Sequence, residues 1–146
     1  MCEARYAAFD GEGARVFGGR WNRPGTPVVY TSGTLALAAL EIFVHLDVPE
    51  SAANLVAVPA DVPASVPVAK VLASDLPARW REYIAPEALA DIGARWAQAR
   101  QTAVLAVPSA VIPQESNYLL NPAHALFSKI SIGSAARFSF DPRMWK

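Results

Sequence analysis

Three side chains within about twenty residues carry the chemistry this chain can offer. Glu41 interrupts the apolar run Leu35-Ala36-Leu37-Ala38-Ala39-Leu40-Glu41-Ile42-Phe43-Val44-His45-Leu46. A charge in such surroundings is costly unless it is paired or used. Arg20 lies in the turn Gly18-Gly19-Arg20-Trp21-Asn22 and brings a planar fork suited to phosphate or carboxylate. Tyr30 lies in the strand-like Pro27-Val28-Val29-Tyr30-Thr31-Ser32 and adds a flat ring with a polar tip. One carboxylate is too few for ordinary glycoside cleavage, which needs a second to protonate the leaving oxygen. It is enough when the leaving group is already a cation and departs neutral, as the nicotinamide of an oxidised dinucleotide does. The carboxylate then has only to stabilise positive charge on the ribose. A unit charge pair at about 4 Å gains roughly 4 kcal/mol at an effective dielectric near 20. Expressed only in the transition state, that is about a thousandfold in rate.

The elements that must position these groups are short. Residues 10–27 hold Gly11, Gly13, Gly18, Gly19, Pro24, Gly25 and Pro27 and read as an elaborate loop able to approach a ligand closely. Val28 to Thr31 reads as a strand, with Ser32 or Thr34 capping the helix that carries Glu41. That helix, apolar all round, is expected to be buried. His45 falls one turn beyond Glu41 on the same side. Asn54 to Val58 and Ala103 to Val107 read as further strands, and 59–78 is spaced by prolines. Pro86 opens a helix with Leu89, Ile92, Trp96 and Ala99 as its apolar stripe. Gln114 to Pro122 reads as polar and turn-forming apart from Tyr118-Leu119-Leu120, and Arg137 to Asp141 as a final alternating strand. Short strands with two helices predict a small α+β domain over residues 1–146.

Bulk composition narrows the function classes. The 146 residues are 53% hydrophobic and 18% charged, a globular profile. Thirteen basic and thirteen acidic residues cancel, so the concentrated basic surface that nucleic acid binding needs is absent. Cys2 is the only cysteine, which excludes an internal disulfide and argues against a structural zinc site. The longest apolar run is too short to span a bilayer, and no signal peptide pattern is seen. A cytoplasmic, reducing setting is expected. Neither GxGxxG nor GxSxG appears, so neither a dinucleotide-binding strand–helix turn nor a serine hydrolase elbow is indicated.

The stretches Gly11-Glu12-Gly13-Ala14-Arg15, Gly18-Gly19-Arg20-Trp21-Asn22, Pro27-Val28-Val29-Tyr30, Ala36 to Glu41, Val44-His45-Leu46, Val107-Pro108-Ser109, Asn117 to Pro122 and Phe140-Asp141-Pro142-Arg143 together resemble the RES domain. The resemblance spans nearly the whole chain. It implies the toxin half of a bacterial RES–Xre toxin–antitoxin pair, with a fold similar to ADP-ribosyltransferases. It also implies NAD+ as a consumed substrate, no prosthetic group, and a helix-turn-helix antitoxin that blocks the site. Self-association is left open. The family arginine, glutamate and serine fall at Arg20, Glu41 and Ser109, and its tyrosine at Tyr30. Expected roles are Arg20 on the pyrophosphate or ribose side, Tyr30 against the nicotinamide and Glu41 at the ribosyl cation. Ser109 would sit on the nicotinamide ribose or amide, and Asn117 is a further substrate-binding candidate. Family members usually begin with a strand carrying another arginine. Met1-Cys2-Glu3 occupy that place here, so that either Arg5 or Arg15 substitutes or the true start lies upstream of this Met1.

Plainer readings stand beside these. Arg20 could pair with a surface acid or with Glu41 itself, Trp21 could be core, and Tyr30 could be a core residue with a satisfied hydroxyl. Ser109 could be a turn residue, with Ser116 its rival. Asn117 and Asn121 could fix loops through side-chain-to-backbone bonds. His45 reads as a satisfied helix-end histidine, and His124 has no assigned role. Two rival functions remain: transfer of ADP-ribose to a protein, and NAD binding without turnover.

Overall fold

The computed structural model describes residues 1–46 and 52–145. The described elements are, in chain order, β1 (Cys2–Glu3), α1 (Glu12–Phe17), β2 (Val29–Ser32), α2 (Leu35–Phe43), β3 (Leu55–Ala57), β4 (Ala60–Asp61) and β5 (Val68–Lys70). They continue with α3 (Glu87–Ala99), β6 (Val104–Pro108), β7 (Ser116–Leu120), β8 (Ser131–Ile132) and β9 (Ala136–Arg137), together with short 3-10 turns. The α+β expectation holds. A four-stranded sheet runs β2-β7-β6-β5, antiparallel except for the parallel β5–β6 pair. A second sheet runs β1-β3-β9, and β4 pairs with β8.

The larger sheet divides the core. Register sets Val29 opposite Leu120 and Leu120 opposite Val104; these join Val66, Ala103 and Ile130 on one face. Side chains alternate along a strand, so Leu119, Leu105 and Val107 point the other way. There they pack with Trp21, Val28, Trp80, Leu89 and Ala97. α3 covers this second face with Leu89, Ala94 and Ala97, flanked by Ile92 and Trp96. Gly93 lets it settle directly on the Gly-Gly-Arg-Trp-Asn turn: a Cβ there would lie 1.8 Å from the Trp21 carbonyl oxygen.

Four expectations are corrected. Residues 10–27 are not all loop: Asp10 Oδ1 accepts from the Glu12 amide and starts α1, which Gly13 masks in the sequence. Gln114 to Pro122 is not a turn but contains β7, whose polar Ser116 and Asn117 face the site end of the sheet. The final strand is only Ala136–Arg137, because Phe138 and Phe140 turn into an aromatic cluster with Phe43 and Trp145. α2 is not buried all round. Thr34 caps it by accepting from the Leu37 amide, but only Leu37 is buried and Leu35 keeps 53% of its surface exposed. The reason is position: Leu35 and Ala38 border one cavity while Glu41 lines another, so the helix bridges open space on two sides.

Among the described residues, no helix is long and apolar enough to cross a membrane.

Candidate active site

The site is built at the end of the second sheet face. Tyr30 and Ser32 share that face of β2, two residues apart, and Ser32 pairs in register with Asn117 of β7. Ser109 lies one residue past β6, where Pro108 pairs with Ser116. α2 then lays Glu41 across this corner. Ser109 Oγ and Asn117 Nδ2 both donate to Glu41 Oε1, each at 2.6 Å. Among the described residues, Oε2 receives no hydrogen bond. The carboxylate is therefore clamped by one oxygen and free at the other.

Ser109 is completely buried. Its oxygen also accepts from the Val111 and Ile112 amides, so the turn reading and the site reading are both met by one hydroxyl. It does not border the cleft, and its expected place on the ribose or amide is corrected to a place behind Glu41. Asn117 is not the loop-fixing residue its neighbours suggest, since its amide serves side chains; Asn121 is one, donating to the Ala97 carbonyl and accepting from the Ala123 amide.

Among the described residues, Arg20 pairs neither with Glu41 nor with a surface acid. Its guanidinium donates to the Trp80 carbonyl at 2.7 Å and the Glu82 carbonyl at 3.0 Å. A guanidinium has five N–H donors; two are used here, and among the described residues the rest stay available for a ligand. Burial pulls its pKa down, opposed by the negative charge of Glu41 and by Tyr30. Carbonyl anchors orient the fork without neutralising it.

Tyr30 has its hydroxyl fully engaged. It donates to Asn22 Oδ1 at 2.8 Å and accepts from the Trp21 amide at 3.0 Å. Asn22 Nδ2 in turn reaches the Ala14, Arg23 and Thr26 carbonyls. The phenol is thus a strut under the turn that presents Arg20. Although 38% of the residue is exposed, its hydroxyl end is enclosed, and burial pushes its pKa well above the usual phenol value of 10.0. At Gly19 a Cβ would lie 2.7 Å from that hydroxyl oxygen, so the turn needs glycine there.

A cleft of about 440 Å³ unites Arg20, Tyr30, Glu41 and Asn117 with Phe17, Gly18, Gly19 and His45. A larger cavity of about 900 Å³ lies beyond β2, but no charged side chain lines it; the smaller cleft holds the chemistry. His45 is exposed on the cleft wall, 6.5 Å between ring centroids from Tyr83, rather than tucked against the helix end. Arg5 and Arg15 pair with Glu3 and Glu12 and border no part of the cleft, so neither stands in for a further arginine there. His124 plays a structural part, with its Nδ1 accepting from the Leu126 amide to cap the 3-10 turn at 125–129. The sequence does not single out Ser32, Asn22 or Gly93. It suggests Ser32 only as a helix cap, and the link to Asn117 becomes visible only once 116–120 is known to be a strand.

The RES domain family model matches residues 2–141. Among curated proteins, the chain is 38% identical over 136 residues to the Prs ADP-ribosylating toxin of Sphingobium sp. strain YBL2, covering 92% of this chain and 84% of that protein. It is 34% identical over 143 residues to Toxin Res of Yersinia enterocolitica, covering 96% and 93%. Toxin Res of Photorhabdus laumondii is 33% identical over 142 residues, covering 96% and 90%. Among solved structures, the M. tuberculosis MbcT-MbcA toxin-antitoxin complex contains a chain that superposes with a TM-score of 0.69 at 16% identity, over 94% of this chain and 81% of that one; it shares the fold. The chain belongs to the RES domain family, and within it groups with proteins named as toxins.

Proposed function

We propose that the chain is a toxin that cleaves the nicotinamide–ribose bond of NAD+. The observation that carries this reading is Glu41, clamped through Oε1 and open through Oε2, in one cleft with an arginine that retains free donors. The electron pair of the C–N bond leaves with nicotinamide, which departs neutral. Positive charge grows on the ribose, and Oε2 lies ready to stabilise it. Water or phosphate then adds to the sugar carbon, and the incoming water loses its proton. Arg20 grips the pyrophosphate or the ribose side. Tyr30 fixes the turn with its hydroxyl and borders the cleft beside the nicotinamide. Asn117 borders the substrate while holding Glu41, and Ser109 acts only through Glu41. Fixed charges of this kind require no reorganisation as the bond breaks.

Purified protein incubated with NAD+ should release nicotinamide, and adding phosphate should show which acceptor is used. Intact NAD+ in a folded, antitoxin-free sample overturns the reading. A second reading, transfer of ADP-ribose to a protein, is favoured by the name of the Sphingobium relative. NAD+ labelled in its adenylate half separates the two: label on a protein band supports transfer, and soluble ADP-ribose or its phosphate supports cleavage. NAD+ binding without turnover would support a non-catalytic module. The fold shared with a toxin of a solved toxin–antitoxin complex supports a protein antitoxin as partner. We place that partner in the Xre helix-turn-helix class and the activity in the cytoplasm.

A further inference from the structure

We propose that Ser32 is a positioning residue for Glu41, acting through the side-chain amide of Asn117; this rests on Glu41 being the catalytic carboxylate. An asparagine amide has an oxygen and an NH2 of nearly equal size, and without a constraint either can face a neighbour. Facing Glu41 with its oxygen, Asn117 would set two acceptors against each other. Glu41, which can only accept, selects the NH2 end, and Ser32 pins the other end in place. Its Oγ donates to Asn117 Oδ1 at 2.7 Å, and the opposite end of the same amide donates to Glu41 Oε1 at 2.6 Å. The two residues stand directly opposite on paired strands β2 and β7, so the sheet itself sets the separation. The hydroxyl thus tethers the amide in the orientation the carboxylate selects, and the amide dictates which carboxylate oxygen is left for the substrate.

A chain Ser32–Asn117–Glu41, joined from the other side by Ser109, converts a symmetric carboxylate into one with a held oxygen and a presented one. In Ser32→Ala the amide is released. Charge-assisted hydrogen bonds weigh more than neutral ones, so an amide that loses its second anchor and loosens its hold on Oε1 should lower kcat about tenfold. KM should stay within about twofold, because Ser32 does not line the cleft and Glu41 acts as charge develops.

The experiment compares wild type, Ser32→Ala and Ser32→Thr in two measurements. Steady-state NAD+ turnover should show the kcat loss in Ser32→Ala and near recovery in Ser32→Thr, which keeps the hydroxyl. Proton–nitrogen NMR should show the Asn117 side-chain amide as one shifted, slowly exchanging pair in wild type and Ser32→Thr. In Ser32→Ala that pair should be broadened or doubled. The NMR signature requires no turnover, so failure of wild type to consume NAD+ would sink the proposed function while the amide still judges this inference. An unchanged Asn117 pair in Ser32→Ala, or a loss appearing in KM or in the melting temperature rather than in kcat, overturns it.

Discussion

Glu41 Oε1 is held by two donors, and this makes the usual isosteric substitution a loaded one. In Glu41→Gln the amide must place its oxygen where Ser109 and Asn117 donate. Its NH2 then faces the cleft, where the proposed cleavage builds positive charge. The variant presents a donor in place of an acceptor, whereas Glu41→Ala presents nothing. Both should lose about a thousandfold or more in kcat by the charge-pair arithmetic, and Glu41→Gln should be no better than Glu41→Ala despite its closer shape. Recovery of substantial turnover by the glutamine variant would refute the clamp. Tyr30 gives a second test at this scale. Tyr30→Phe leaves the Trp21 amide and Asn22 Oδ1 without their partner, which should cost about 1–3 kcal/mol of stability in denaturant unfolding. Because burial raises the phenol's pKa in the fold, its contribution is fully present below the ordinary value of 10.0 and fades only as pH climbs through the folded-state value. An alkaline absorbance titration should show a tyrosine that ionises later than a free phenol, and Tyr30→Phe should abolish that phase.

At the scale of elements, the contact between α3 and the arginine-bearing turn decides how well the site is held. Gly93 sits in the interior of α3, where glycine weakens a helix by about 1 kcal/mol relative to alanine. Here the gain in helix propensity is outweighed, because the added Cβ would meet the backbone of Trp21. Gly93→Ala should therefore destabilise the protein by about 1–3 kcal/mol and raise KM by displacing Arg20, which a thermal melt and NAD+ kinetics would check. A melting temperature above wild type would show that the turn can yield. The same elements mark how far sequence reading reaches. Thr34 as cap, Pro86 as helix opener and the strand at Ala103 to Val107 are legible because capping, proline geometry and unbroken apolar runs are local signals. β7 is not, since it opens on two polar residues, of which Asn117 serves the site rather than the core. α2 misleads for a related reason: its composition describes burial, but burial depends on which neighbours arrive. Arg20, Tyr30, Glu41 and Asn117 are grouped by the motif resemblance, and all four line one cleft. The division of labour is not legible in the sequence, because the burial of Ser109 and the engagement of the Tyr30 hydroxyl depend on partners 68 and 8 residues away.

Across the whole molecule, the reactive corner draws on both ends of the chain. Arg20, Tyr30 and Glu41 come early, the carbonyls of Trp80 and Glu82 that anchor Arg20 from the middle, and Ser109 and Asn117, which hold Glu41, late. β2 sits at the edge of its sheet with β7 as its neighbour, so the platform under Tyr30 and Ser32 has nothing to pair with until residues 116–120 exist. A chain ending before β6 should accordingly be harmless when expressed, and NAD+ levels in those cells should match an empty-vector control. Depletion of NAD+ by such a fragment would show that the early residues suffice. Long-range pairing of this kind also delays folding relative to local contacts. If that fragment proves inert, the order of synthesis is a safety catch for a toxin: a ribosome stalled or a message cut short of its last third should release nothing able to consume NAD+, and the hazard should begin only once β6 and β7 are made.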